Sequence, residues 1–164
     1  MPRSRGDAAV RAHVLALLRG GHAHATFAQA TARVPRKLRG ALPRRAEHTI
    51  WQLVEHIRLG QRDILDFSRN TTGTYRAPKW PEGYWPATAA PPSDRAWTAS
   101  LRAIGTDLRA LEKMVADPAH DLLTPFPWGD GQTLLRETLL VADHTAYHVG
   151  QIVVVRRILG AWPT

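Results

Sequence analysis

The 164-residue sequence contains no cysteine, and this absence excludes disulfide bonds, thiolate metal ligands and a cysteine nucleophile. The sequence also lacks any apolar run that approaches the roughly 18 residues needed for a membrane-spanning helix. The N-terminal stretch from Met1 to Asp7 is polar and lacks the apolar segment and cleavage site of a signal peptide. We therefore expect a cytoplasmic protein with no membrane partner, whose length fits one domain with a sizeable core.

Acidic residues are few relative to basic ones, because 22 lysines and arginines stand against 14 aspartates and glutamates, a net charge of +8. A positive balance of this size attracts nucleic acids or anionic small ligands. The arginines are scattered along the chain, however, and no helix-turn-helix spacing, zinc-finger pattern or basic arm is present. We therefore do not expect a nucleic-acid partner. A solvated basic surface is the main interpretation, and attraction of a small anionic ligand is the alternative.

The hydropathy pattern predicts four helices in a single domain over residues 1–164 and supports no strand better than a helix. The predicted helices cover residues 7–33, 49–68, 94–117 and 133–159. Gly20 and Gly21 interrupt the first helix, where we expect either a kink or close packing. The second helix begins with Thr49 and Gln52 in the spacing of a capping box. The predicted class is therefore all-α.

A long connection, residues 69–92, joins the second and third predicted helices. Extended at ~3.3 Å per residue it reaches ~80 Å, whereas a helix of about 19 residues is only ~29 Å long. The connection can therefore run the full length of the bundle, which predicts that helices two and three are parallel. The fold predicted is a four-helix bundle with one long crossover. We expect the crossover aromatics to pack on the bundle and wall one side of a pocket: Tyr75, Trp80, Tyr84 and Trp85.

Three histidines form the candidate functional site. His144 and His148 lie four residues apart in the fourth helix, so both imidazoles share one face. His56 lies in the second helix, and packing of the two helices would bring the three rings together. Three neutral imidazoles are the ligand set of a catalytic metal site with an open position. The alternative is a structural network of buried, hydrogen-bonded histidines.

Four polar residues align with these histidines along the helices at steps of three, four or seven residues: Gln52, Asp63, Glu137 and Gln151. Imidazoles that bind a metal usually donate their other N–H to a carboxylate or carbonyl oxygen. We predict this role for the four residues. His22 and His24 are expected to be partly exposed, although one of them could reach the site. The sequence places three further histidines on the surface: His13, His48 and His120.

Several stretches resemble the DinB superfamily, a group of small metalloenzyme-like proteins. They are Trp51-Gln52 with His56-Ile57, the loop from Trp80 to Pro86, the run from Asp143 to Ile152 and the tail from Arg156 to Trp162. The resemblance extends from Leu17 to Trp162. It implies a four-helix bundle with one long crossover, often dimeric. It also implies a divalent metal, zinc or nickel, held by His56, His144 and His148.

The resemblance also guides the functional hypothesis, because some members look like transferases or isomerases that use a low-molecular-weight thiol. We expect a metal-dependent enzyme of the thiol S-transferase type, with a small-molecule substrate. The alternatives are a metal-dependent hydrolase and a non-catalytic stress-response binding module. A homodimer is also expected, because the fourth helix carries apolar residues away from its histidines: Val149, Val153 and Val154.

Overall fold

A computed structural model of the protein describes residues 5–163. The helices are α1 (Arg5–Arg19), α2 (Phe27–Thr31), α3 (Ile50–Ser68), α4 (Asp94–Ala116) and α5 (Leu134–Ile158), with 3₁₀ turns at Arg36–Leu38 and Glu82–Tyr84. Over the described residues no strand forms beyond an isolated bridge between Pro125 and Thr133. The predicted all-α class is confirmed. Residues 1–4 and 164, which the predictions of a single domain and of a polar N-terminus include, lie outside the described part.

Within residues 5–163, none of the helices is both long enough and apolar enough to span a bilayer.

The predicted first helix is shorter than its sequence pattern suggested. Gly20 and Gly21 have φ angles of +70° and +85°, the left-handed conformation in which helices commonly end. The backbone N–H of Gly20 donates to the carbonyl oxygens of Ala16 and Leu17, which closes the last turn of α1. The prediction of one helix over residues 7–33 is therefore wrong. The glycine pair ends the helix, and a separate five-residue helix, α2, follows.

The start of α3 agrees with the predicted capping box. The hydroxyl of Thr49 accepts from the backbone N–H of Gln52 at 3.2 Å, and the Gln52 side chain accepts from the Thr49 N–H at 2.9 Å. The Thr49 hydroxyl also donates to the carbonyl of Ala89 at 2.6 Å, which ties the end of the crossover to the start of the helix. The cap therefore fixes both the first turn of α3 and the path of the connection.

Residues further along α3 contact residues further along α4. The rings of Trp51 and Trp97, both near helix starts, have centroids 6.4 Å apart. Further along, the Gln61 side chain donates to the carbonyl of Ile104 at 2.8 Å. These contacts show that the two helices run parallel, as the long crossover predicted.

Helix α5 runs antiparallel to α3. Ile50 at the start of α3 belongs to the same core cluster as Val155 near the end of α5, whereas Leu65 clusters with Leu134 at the opposite end. Helix α1 packs against α4 and α5, which completes the bundle. Helices α3 and α5 therefore pack against each other along one continuous interface.

The short helix α2 is attached to the C-terminal end of α5 by Arg156. This side chain is 1% exposed, and its guanidinium donates to the carbonyls of Ala30 at 2.8 Å and Ala161 at 2.7 Å. Backbone carbonyls satisfy the buried cation, which otherwise carries a large desolvation cost.

Replacing the α3 cap tests how strongly it stabilises the fold. We expect Thr49→Ala to lower the free energy of unfolding by about 1–2 kcal/mol, because the cap bond is lost. The bond to the crossover is lost with it. The matched control is Thr26→Ala, which removes an equivalent capping box from the short helix α2 and should cost less. Urea denaturation measures both values, and an equal or smaller loss for Thr49→Ala would contradict the role given to this residue.

Candidate metal centre

The antiparallel packing of α3 on α5 brings the three predicted histidines together. One ring nitrogen from each of His56, His144 and His148 lies within 4.8 Å of the others. The Nε2 atoms of His56 and His144 are 3.0 Å apart. His56 and His148 are each only 6% exposed, and His144 is half-buried. The cluster therefore lies in the interface between the two helices, with His144 nearest to solvent.

Hydrogen bonds at the other ring nitrogens determine which tautomer two of these histidines adopt. The Nδ1–H of His56 donates to the backbone carbonyl of Tyr84 at 2.8 Å. The Nδ1–H of His148 donates to the side-chain oxygen of Gln151 at 2.6 Å. A neutral imidazole that donates through Nδ1 keeps its lone pair on Nε2. Both rings therefore carry their lone pair on Nε2, and that of His56 faces Nε2 of His144 at 3.0 Å.

The environment also keeps the three rings neutral. Burial lowers the pKa of His144 to about 4, and its two neighbouring histidines lower it further in the same direction. Burial is also the largest cause that lowers the pKa of His56 and of His148, against the opposing effect of their hydrogen bonds. An unprotonated imidazole is the form that binds a metal ion, so the cluster needs no deprotonation near neutral pH.

The donor set fits a divalent cation. Zinc–nitrogen bonds are ~2.0–2.1 Å long, so two ligands of one tetrahedral ion lie about 3.3 Å apart. The observed 3.0 Å between the Nε2 atoms of His56 and His144 is close to that spacing. Three protein ligands leave one coordination position for water or a substrate. The three histidines could therefore hold a divalent metal ion.

Gly60 gives His144 room to approach α3, and sequence analysis did not identify this residue. A Cβ atom at Gly60 would lie 3.2 Å from Cε1 of His144, which is tighter than an ordinary contact. Glycine in the middle of a helix costs about 1 kcal/mol relative to alanine. A mid-helix glycine one turn after His56 was the sequence pattern that could have indicated this packing.

The crossover covers one side of the cluster, as predicted. The ring of Trp85 stacks on His56 with centroids 3.9 Å apart and planes 4° apart. Trp85 also stacks on His48, with centroids 4.0 Å apart, so His48 is half-buried and is not the free surface residue expected from sequence. Trp80, in contrast, is 69% exposed. The wall of the site is therefore formed by Trp85 rather than by all the crossover aromatics.

Asp63 is linked to the histidine cluster through its hydrogen bonds to two tyrosines of the crossover. Its carboxylate accepts hydrogen bonds of 2.7 Å from the hydroxyls of Tyr75 and Tyr84. Burial, and then the bond to Asp63, raises the pKa of Tyr84 to about 12. Because the carbonyl of Tyr84 accepts the Nδ1–H of His56, Asp63 positions that histidine through Tyr84 and not by direct contact.

The other predicted neighbours have different roles. Gln151 bonds directly to His148, as expected. Gln52 is used in the α3 cap, and the buried Glu137 pairs with Arg136 at 2.6 Å. Of the four predicted residues, Gln151 is thus the one with a hydrogen bond to a cluster histidine within the described structure. Three other histidines lie outside the cluster and are exposed: His13, His22 and His24.

Comparison with known families agrees with this geometry. The family model of the DinB superfamily matches residues 22–152, well over half of the chain, and this span includes all three histidines. The chain belongs to the DinB superfamily. No significant match was found among curated proteins or among solved structures. DinB-superfamily membership and the three-histidine cluster are together compatible with a metal-dependent function.

Replacement of each cluster histidine tests the ligand assignment in this DinB-superfamily protein. We expect His56→Ala, His144→Ala and His148→Ala each to reduce bound zinc or nickel by more than half, because two imidazoles hold a divalent ion much more weakly than three. The matched control, His120→Ala, lies outside the cluster and should keep the full metal content. Metal analysis of the purified proteins gives the ratio, and full metal in all three variants would refute the assignment.

Proposed function

We propose that this protein is a divalent-metal-dependent enzyme that transfers a group to the sulfur of a low-molecular-weight thiol. The observation that carries the proposal is the cluster of three histidines, with one ring nitrogen of each within 4.8 Å of the others and with pKa values that burial lowers. The absence of cysteine supports an external thiol as the nucleophile. A bound divalent cation lowers the pKa of a thiol or water molecule that coordinates it.

In this proposal the protein side chains hold the metal, orient its ligands and shield the site from water. His56, His144 and His148 supply the three metal ligands, and Gln151 keeps one of them in the required tautomer. Trp85 covers the ring of His56 and excludes water from that side. Tyr147 is 65% exposed and its ring lies 4.9 Å from that of His148, so it borders the solvent side.

In the proposed transfer the thiol sulfur forms a bond to a carbon atom of the second substrate. The thiol proton is released, and a leaving group departs from the same carbon atom with its bonding electrons. Zinc and nickel are the metals that we propose, since both accept imidazole nitrogen. Cytosolic thiols are kept reduced, which fits the cytoplasmic location that we also propose.

Cobalt substitution distinguishes this reaction from its alternatives. We expect one member of a panel of low-molecular-weight thiols, which includes cysteine and glutathione, to produce a sulfur-to-cobalt charge-transfer band. The His144→Ala protein should not show the band, because its metal site is incomplete. Hydrolysis of simple esters or amides without any spectral response to thiols would replace the transferase by a metal-dependent hydrolase. Tight metal binding with neither response would support a non-catalytic stress-response binding module.

We also propose that the protein is a homodimer. Val149 is 2% exposed and packs in the core of the bundle, so it is not available to a partner as the sequence suggested. An apolar stripe nevertheless remains on the outer face of α5, formed by Leu140, Tyr147, Val154 and Ile158. Burial of this stripe against a second copy would remove apolar surface from water.

Sedimentation tests the proposed dimer. We expect a dimer at micromolar concentration and a shift to monomer in Val154→Asp, because a charge would be buried in the interface. The control is Leu123→Asp, which changes an exposed leucine outside α5 and should leave the dimer intact. A monomeric parent protein would contradict the proposal.

A further inference from the structure

A large cavity lies on the side of α5 away from the histidine cluster. Its volume is about 730 Å³, within the range of about 300–1,000 Å³ that is usual for ligand pockets. None of the three cluster histidines lines it. The cavity is therefore separate from the candidate metal centre, and the function proposed for that centre does not involve it.

The cavity lies beyond the point where α1 ends. The last residue of α1, Arg19, pairs with Glu112 near the C-terminal end of α4, so α1 does not continue along the N-terminal half of that helix. The chain that continues past Gly20 and Gly21 crosses the gap as a loop and the short helix α2. A space is left between α4, α5 and this segment.

The walls of the space are mostly apolar. They include Phe27 from α2, Leu101, Ile104 and Leu108 from α4, and Ala142 and Ala146 from α5. The two alanines, one turn apart, keep α5 from reaching across to α4. The space is open to solvent on one side, so its walls expose apolar surface to water. A bound apolar group would remove that surface from water.

The charged residues around the cavity are of one sign. Arg19, Arg33 and Arg39 line it, and none of the described residues that line it is acidic. Arg19 is paired with Glu112 and Arg39 with Asp94. The exposed guanidinium of Arg33 has no carboxylate partner within residues 5–163. An uncompensated cation therefore stands at the edge of the apolar cavity.

Two further observations concern Arg33. Its backbone has a φ of +51°, a conformation that residues with a Cβ adopt at a cost and that is concentrated at functional positions. Burial, and then the nearby charge of Arg33, lowers the pKa of Arg156, whose own hydrogen-bond acceptors are carbonyl oxygens rather than carboxylates. The positive charge in this region is therefore not balanced by the protein.

We propose that this cavity binds a small amphiphilic anion, with the apolar part between α4 and α5 and the anionic group at Arg33. Guanidinium groups bind carboxylates through paired, charge-assisted hydrogen bonds, which fixes the orientation of such a ligand. A neutral apolar molecule would leave the Arg33 charge uncompensated. A cationic amphiphile would be repelled by the arginines.

Calorimetric titration with decanoate, decan-1-ol and decylamine tests the proposal on the full-length protein below the aggregation concentration of each probe. We expect one decanoate to bind per chain, about tenfold more tightly than decan-1-ol, and decylamine to bind most weakly. Arg33→Gln should reduce the affinity for decanoate to that for decan-1-ol. The matched control is Arg102→Gln, an exposed α4 arginine outside the cavity, which should leave decanoate binding unchanged.

Variants that fill the space test its position. Gly105 lines the cavity, and a Cβ atom there would lie 3.3 Å from the flexible end of Arg109. Gly105→Leu should therefore fold, with a raised melting temperature because a helical glycine is removed, and should lose decanoate binding. Ala146→Leu adds volume from the opposite wall of the cavity and should also lose decanoate binding.

The outcomes decide the proposal and separate it from the metal centre. Binding of decanoate that persists in His144→Ala and disappears in the folded Gly105→Leu protein supports it. Absence of saturable decanoate binding would overturn it, as would equal affinity for decan-1-ol or decylamine, or unchanged binding in both filled variants. Loss of decanoate binding in His144→Ala would assign the carboxylate to the metal centre and would also overturn the proposal.

Discussion

The antiparallel packing of α3 against α5 is the contact on which the rest of the structure depends. Ile57 of α3 and Ile152 of α5 are both fully buried in the core cluster that joins these helices. This interface places His56 opposite the i, i+4 pair on α5. A shift of one residue along either helix would rotate a histidine by about 100° out of the shared face. The core therefore determines the geometry of the site.

The crossover adds a second constraint on the same site. It allows α4 to run parallel to α3, and it returns along the bundle so that Trp85 stacks on His56 and the Tyr84 carbonyl accepts from it. Asp63 holds the crossover in place through two tyrosine hydroxyls. The crossover therefore covers and orients His56, while burial is the largest cause that lowers the pKa of all three imidazoles.

Helical periodicity and the length of the crossover account for what was predicted correctly from the sequence. The i, i+4 spacing placed His144 and His148 on one face, and the length of the crossover predicted the parallel helices. Contacts made by irregular segments have no periodicity, so the sequence predicted that the crossover aromatics wall the site but not that Trp85 stacks on His56 or that Tyr75 and Tyr84 bond to Asp63. The glycine pair was ambiguous because a kink and a helix end use the same residues, and positive φ angles decided between them. The cavity beside α1 follows from that early helix end and was equally hidden from the sequence.

The central claim is that His56, His144 and His148 bind one divalent metal ion. Anomalous diffraction from crystals of the zinc-loaded protein, recorded at the zinc absorption edge, tests it most directly. The account predicts a single strong peak about 2.0–2.1 Å from a ring nitrogen of each histidine. It would be contradicted by a protein whose three imidazoles bond only to one another, with no peak between them while zinc is present in the crystal.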